Sequence, residues 1–106
     1  MSAKKKTPEK YAILANKSYG LCAGIVGKKT TQADGSLHVE VTECRHIAQW
    51  YGKTGGITSL AAHGLCGPRA QESRIGAPVD ALLTGIVNIF ECSPEARASI
   101  EAASQS

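Results

Sequence analysis

Ala33-Asp34-Gly35-Ser36-Leu37-His38-Val39-Glu40-Val41-Thr42 is the stretch whose reading decides the fold. Leu37, Val39 and Val41 alternate with His38, Glu40 and Thr42, the period of a strand with one buried face and one wet face. Asp34-Gly35 just before it supplies the positive φ of a tight reversal, so another strand should run antiparallel on the far side of the turn. Backwards along the chain, Lys28–Gln32 leads into that turn. Leu21–Val26 and Tyr11–Ala15 are short apolar runs, and Asn16-Lys17-Ser18-Tyr19-Gly20 between them is turn-like. Residues 11–44 therefore read as an antiparallel meander of three strands.

Forwards, Arg45–Tyr51 runs into Gly52-Lys53-Thr54-Gly55-Gly56. Ile57, Leu60 and Ala61 then share one face of a short helix over 57–63, which Gly64 ends as a C-cap. Residues 65–73 read as a loop. Val79–Cys92 is apolar at both alternations, with Leu83, Val87 and Ile89 on one side and Leu82, Ile86 and Phe90 on the other. A strand apolar on both sides is central or covered by another subunit, and in so small a domain this predicts a homodimer. A last helix is set by Ser93 as N-cap, Pro94 at the first helical position and Glu95 in the first turn, with Ala96, Ile100 and Ala103 as its apolar stripe. The expected fold class is α+β: a small antiparallel β-sheet domain with two short helices, oligomeric.

At 106 residues the chain is one domain. A loose, disordered basic tail is expected over 1–9 and a single ligand-binding and oligomerisation domain over 10–106. With 42% hydrophobic and 20% charged residues, wholesale disorder is excluded. No apolar run approaches the ~20 residues of a membrane span, and the lysines at the start lack the apolar stretch of a secretory signal. A cytoplasmic protein is expected. The net charge of +3 is carried by Lys4, Lys5, Lys6 and Lys10 against Glu9, and the rest of the chain is balanced. A basic tail on a neutral body is weak support for nucleic-acid binding, which calls for a basic face. The four cysteines have no CxxC spacing, so reduced and mostly buried thiols are expected.

Gly52-Lys53-Thr54 suggests a phosphate loop, but the first glycine of that motif would fall on Ile47. Its local physics is still useful. Open glycine N–H groups before a helix N-terminus attract anions, Lys53, Thr54, Thr58 and Ser59 add a cation and hydroxyls, and Trp50 and Tyr51 offer flat surfaces for a base. Arg45, Arg69 and Arg74 sit near turns or strand ends, where their forks match phosphates. Cys44-x-His46 with His63-x2-Cys66 is a poor match to zinc-site spacings. No nucleophile elbow and no paired carboxylates on one helix face appear, so no enzyme is expected.

The order of several short motifs resembles the phage family of Thoeris anti-defence proteins of the first-described kind. Ser18-Tyr19-Gly20-Leu21-Cys22-Ala23-Gly24 is similar to that family's early hairpin, and Cys44-Arg45-His46-Ile47 through Trp50 to its basic-Ile-aromatic segment. Gly52 through Gly64 resembles its glycine loop and short helix, Arg74-Ile75 with Pro78-Val79 its step into a late strand, and Cys92-Ser93-Pro94-Glu95-Ala96 with Ser99-Ile100 its ending. His46 stands where a second arginine is usual, and Ala48 and Gln49 replace aromatics.

The resemblance implies a non-catalytic protein of the host bacterial cytoplasm that sequesters cyclic ADP-ribose isomers in pockets between subunits, as a homodimer or a hexameric trimer of dimers, without a cofactor. Cyclic trinucleotides are a second implied ligand class. By matching positions it places Arg45, Trp50 and Arg74 at the ligand, with Thr54, Gly55, Gly56, Thr58 and Ser59 in support. His46 is a partial substitute for an arginine, Lys53 adds charge, and Tyr19 and Gly20 contribute from the hairpin. The alternative reading is a small β-rich nucleic-acid-binding module, with Trp50 and Tyr51 stacking bases and the lysine tail holding the backbone. A third is a phage structural or assembly subunit that binds no small molecule.

Overall fold

Four strands that each find at least two neighbours make this fold. The computed structural model describes residues 10–16, 20–52 and 56–104. In chain order these form β1 (Lys10–Asn16), β2 (Gly20–Thr31), β3 (Leu37–Gln49), helix α1 (Gly56–His63), a 3₁₀ turn (Ala70–Glu72), β4 (Arg74–Ile75), β5 (Val79–Glu91) and helix α2 (Pro94–Ala102). The five-stranded antiparallel sheet has the order β2-β1-β5-β3-β4, and β2 pairs with β3 as well. The strands β1, β2, β3 and β5 thus close into a circuit, with β4 appended to the end of β3. This is the α+β architecture that the pattern predicts.

The reversal before β3 forms as its residues dictate. Gly35 takes φ 88°, and Asp34 Oδ1 accepts from the Ser36 N–H at 3.0 Å and from Ser36 Oγ at 2.6 Å. The meander is present, but its strands run on further, β2 to Thr31 and β3 to Gln49.

Glu43 interrupts the simple alternation of β3. It is the one non-glycine residue with positive φ, 55°, among the described residues. The register passes from Ile25↔Thr42 to Ala23↔Arg45 on one side and from Val41↔Ala81 to Cys44↔Val79 on the other. One extra residue in β3 therefore faces both neighbours, a β-bulge. Gly24 lies opposite, where a Cβ would come within 2.4 Å of Val41 Cγ1 and 3.0 Å of the Cys44 Cα. The bulge exchanges the faces of the strand. Val39 and Val41 point into the circuit with Leu14, Cys22, Cys44, Leu83 and Ile86. Beyond it Ile47 joins the second core, with Tyr11, Ile13, Ala23, Leu60, Ala61, Ile75 and Ile100, between the sheet and the two helices.

The strand buried on both faces is β1, not β5. Tyr11, Ala12, Ile13 and Leu14 are all at most 4% exposed, because the circuit interior lies on one side and the helices on the other. In β5, Gly85 with φ 67° shifts the register, so Leu83 and Ile86 both turn inward. This corrects the expected facing of Leu83 with Val87 and of Leu82 with Ile86. Val79, Leu82 and Val87 are left outside at 57%, 60% and 50% exposure.

The helices end where their caps predict. Gly64 takes φ 72° after α1 and its N–H donates to Leu60 O at 2.8 Å. Ser93 Oγ accepts from the Ala96 N–H at 3.0 Å and donates to Ala62 O at 2.7 Å, tying the start of α2 to the end of α1. No helix among the described residues is long and apolar enough to cross a membrane.

Candidate functional site

Arg45 and Arg74 flank the same short piece of sheet but meet different fates. The bulge turns Arg45 towards the helices, where it is 4% exposed. Its Nε donates to Gly76 O at 2.6 Å and its Nη1 to Ile100 O at 2.8 Å, with longer approaches to Glu101 O at 3.4 Å and Ile75 O at 3.5 Å. These are carbonyls of the last turn of α2 and of β4 with the glycine after it. The guanidinium is spent on backbone, which corrects the expectation that Arg45 faces a ligand. Arg74 is exposed on β4 opposite Gln49, and among the described residues its side chain makes no hydrogen bond or ion pair.

The other expected residues do not gather into one pocket. Trp50 is half-buried and packs against the helix-side core, with ring atoms 3.6–3.7 Å from where a Cβ on Gly52 would stand. His46 is exposed on β3 opposite Cys22 in register. Gly56, exposed with φ 75°, opens α1, and Gly20, exposed with φ 89°, opens β2. Thr58 lines an open depression with Ala62, Phe90 and Glu91, and Ser59 is half-buried beside the core. Tyr19, Lys53, Thr54 and Gly55 lie outside the described residues, as does the tail over 1–9.

A different cluster forms at the β3–β4 edge. The Arg69 guanidinium sits over the Tyr51 ring, 4.2 Å from its centroid, and donates from Nη2 to Tyr51 Oη at 3.2 Å. Gln49 Nε2 donates to the same phenol oxygen. Glu72 Oε1 accepts from Arg69 Nη2 at 2.8 Å and from Nε at 3.1 Å. Those hydrogen bonds hold the Glu72 carboxyl below its usual range and the Arg69 guanidinium above its own. The Tyr51 N–H donates to Ser73 Oγ at 3.0 Å. Ser73 also lines a cleft of ≈ 240 Å³ with Leu65, Gln71, Ser99, Ala103 and Ser104. Ring, cation and hydroxyls therefore lie along one edge, with Arg74 on the strand that closes it.

Gln49 and Glu72 are not among the expected residues, and Tyr51 and Arg69 are expected in separate groups, with Trp50 and with Arg45 and Arg74. The Arg69-x-x-Glu72 spacing was the available signal, since a 3₁₀ turn over Ala70–Glu72 brings those two side chains together. Nothing in the spacing from Tyr51 to Arg69 announces that they stack. The zinc reading gains no geometry, because among the described residues no three His, Cys, Asp or Glu side chains come together.

Residues 9–100 match a family model described as a domain of unknown function, DUF6948. The chain belongs to this family. No curated protein and no solved structure matches it. As a DUF6948 domain it is matched from the start of β1 into the last turn of α2, so the strand circuit, the bulge and the β3–β4 edge all fall within the family's bounds.

Proposed function

We propose that this DUF6948 protein is a non-catalytic binder of an anionic nucleotide, of the cyclic ADP-ribose class that its resemblance to the Thoeris anti-defence family implies. The observation that carries the reading is the β3–β4 edge, where Arg69 is stacked on Tyr51 and Arg74 has no hydrogen bond or ion pair among the described residues. The pyrophosphate sits on Arg74, whose fork matches a phosphate, and the purine rests against the Tyr51 ring on the face opposite Arg69. The cleft beside that edge, ≈ 240 Å³, is smaller than the roughly 300–1,000 Å³ of typical ligand pockets. One chain thus covers part of such a ligand and a second copy completes it. The outward Val79, Leu82 and Val87 of β5 are the apolar surface through which two copies meet.

Calorimetric titration with cyclic ADP-ribose isomers, cyclic trinucleotides and single-stranded RNA tests this, together with native mass measurement. Expected are uptake of a cyclic nucleotide, a dimer or hexamer, and intact ligand after heat denaturation. Arg74→Ala should weaken binding by about 30-fold or more, because one charge-assisted contact contributes about 2 kcal/mol. Absence of binding to every cyclic compound overturns the reading. Steeply salt-dependent RNA binding lost on deleting residues 1–9 would favour the nucleic-acid module.

A further inference from the structure

Two of the four cysteines meet inside the strand circuit. Cys22 on β2 and Cys44 on β3 are 6% and 4% exposed and belong to the same interior core, where each thiol shifts the ionisation of the other. The meeting depends on the bulge. Along β3, Thr42 faces outward and two further residues of plain alternation would carry Cys44 outward too, whereas the extra residue at Glu43 turns it in. We propose that Cys22 and Cys44 form a dithiol–disulfide site, closed by hydrogen peroxide or a small-molecule disulfide into a covalent link between β2 and β3.

The pair divides the chemistry between its members. The neighbouring Cys44 thiol holds the Cys22 thiol below its ordinary range, and His46 acts in the same direction against burial. Cys22 and burial hold Cys44 well above the usual range, so Cys22 is the sulfur that ionises. With peroxide, the Cys22 thiolate attacks one oxygen and the O–O bond breaks. Cys22 becomes a sulfenic acid, and the displaced hydroxide takes up the proton that the thiol lost, forming water. The Cys44 sulfur then attacks the sulfenic sulfur, the S–S bond forms and the S–O bond breaks. The leaving hydroxide takes the Cys44 proton as a second water. Two thiols are oxidised by two electrons and one peroxide is reduced to two waters. With a small-molecule disulfide instead, the Cys22 thiolate breaks its S–S bond and displaces one thiolate. Cys44 then displaces the other from the mixed disulfide, and the two leaving thiolates take up the two protons. The other cysteines are internal controls. Cys66 and Cys92 are free and half-buried elsewhere, and burial pushes the Cys92 thiol up to about 11.

The test uses the reduced full chain, treated to completion with hydrogen peroxide or with glutathione disulfide. It is then denatured, alkylated with iodoacetamide and digested with trypsin. Cys22 falls on peptide 18–28 and Cys44 on peptide 30–45. The expected product is these two peptides joined, lighter than their sum by two hydrogens and separated by dithiothreitol, with Cys66 and Cys92 alkylated. Recovery of Cys22 and Cys44 as alkylated thiols, as sulfinic acids, as glutathione adducts, or joined to Cys66 or Cys92 overturns the proposal. No variant is needed, so misfolding of a core substitution cannot obscure the answer.

Discussion

Replacing Arg45 with alanine separates a structural arginine from a binding one. The side chain is 4% exposed, and two of its contacts are short, to Gly76 O at 2.6 Å and to Ile100 O at 2.8 Å. A hydrogen bond from a charged donor contributes about 1.5–3 kcal/mol, so two such bonds are worth about 3–6 kcal/mol. Burying the guanidinium costs something already in the native protein, and its removal returns part of that. The alanine also strands the carbonyls at the end of α2 and leaves space beside Tyr11. A net loss of about 3–4 kcal/mol follows, a large share of the roughly 5–15 kcal/mol that holds a domain folded. Urea unfolding followed by circular dichroism should show the midpoint fall with the slope unchanged. Arg74 is exposed and has no hydrogen bond or ion pair among the described residues, so Arg74→Ala should stay within about 0.5 kcal/mol of the parent. An Arg45→Ala loss below about 1 kcal/mol, with cyclic-nucleotide binding abolished, would refute the division of labour and return Arg45 to the ligand.

Three further expectations concern the fold. Gly24→Ala should destabilise by about 1–3 kcal/mol in the same unfolding assay, because its Cβ would stand 2.4 Å from Val41 Cγ1 and 3.0 Å from backbone atoms of Thr42 and Cys44. Ser93→Ala should cost about 1–2 kcal/mol, since the hydroxyl both caps α2 and satisfies Ala62 O, and hydrogen exchange at Ala96 and Arg97 should quicken. Tyr11→Phe should leave stability at neutral pH within about 1 kcal/mol of the parent or above it, because the buried Tyr11 hydroxyl has no hydrogen-bond partner among the described residues. Burial, with Glu101 adding to it, pushes that phenol well above its ordinary value of 10.0. The unfolded chain therefore ionises Tyr11 first, and its contribution holds below that value and declines above it. The phenylalanine variant should lose stability less steeply than the parent above about pH 10.

Local chemistry made much of this fold legible. Asp34-Gly35, the Leu37–Val41 alternation, Ser93-Pro94 and Gly64 act through their nearest neighbours, and each does in the structure what its residue type dictates. Side-chain facing was harder, because parity holds only until a residue is inserted. Glu43 has no glycine to advertise its positive φ, and its bulge reverses which residues of β3 look into the circuit. Arg45 was the main casualty. A lone arginine after a strand reads as a surface cation, and only the three-dimensional return of α2 and Gly76 supplies the carbonyls that enclose it. The β5 facing went astray for the same reason at Gly85. At the candidate site the cations and rings were visible as residue types. Their grouping was not, since Tyr51 and Arg69 come together only when the segment after α1 folds back along β3.

Closure of the strand circuit has a consequence for how this protein is made. β1 leaves the ribosome before two of the surfaces that shield it, β5 and α2, which follow it in the chain. Until β5 and α2 have emerged, Tyr11 to Leu14 stand as an apolar ribbon with one hydrogen-bonding edge unclaimed, the kind of segment that invites aggregation. Chains truncated before β5 should therefore be clients of chaperones and proteases, and completion of the domain is gated by its final strand and helix.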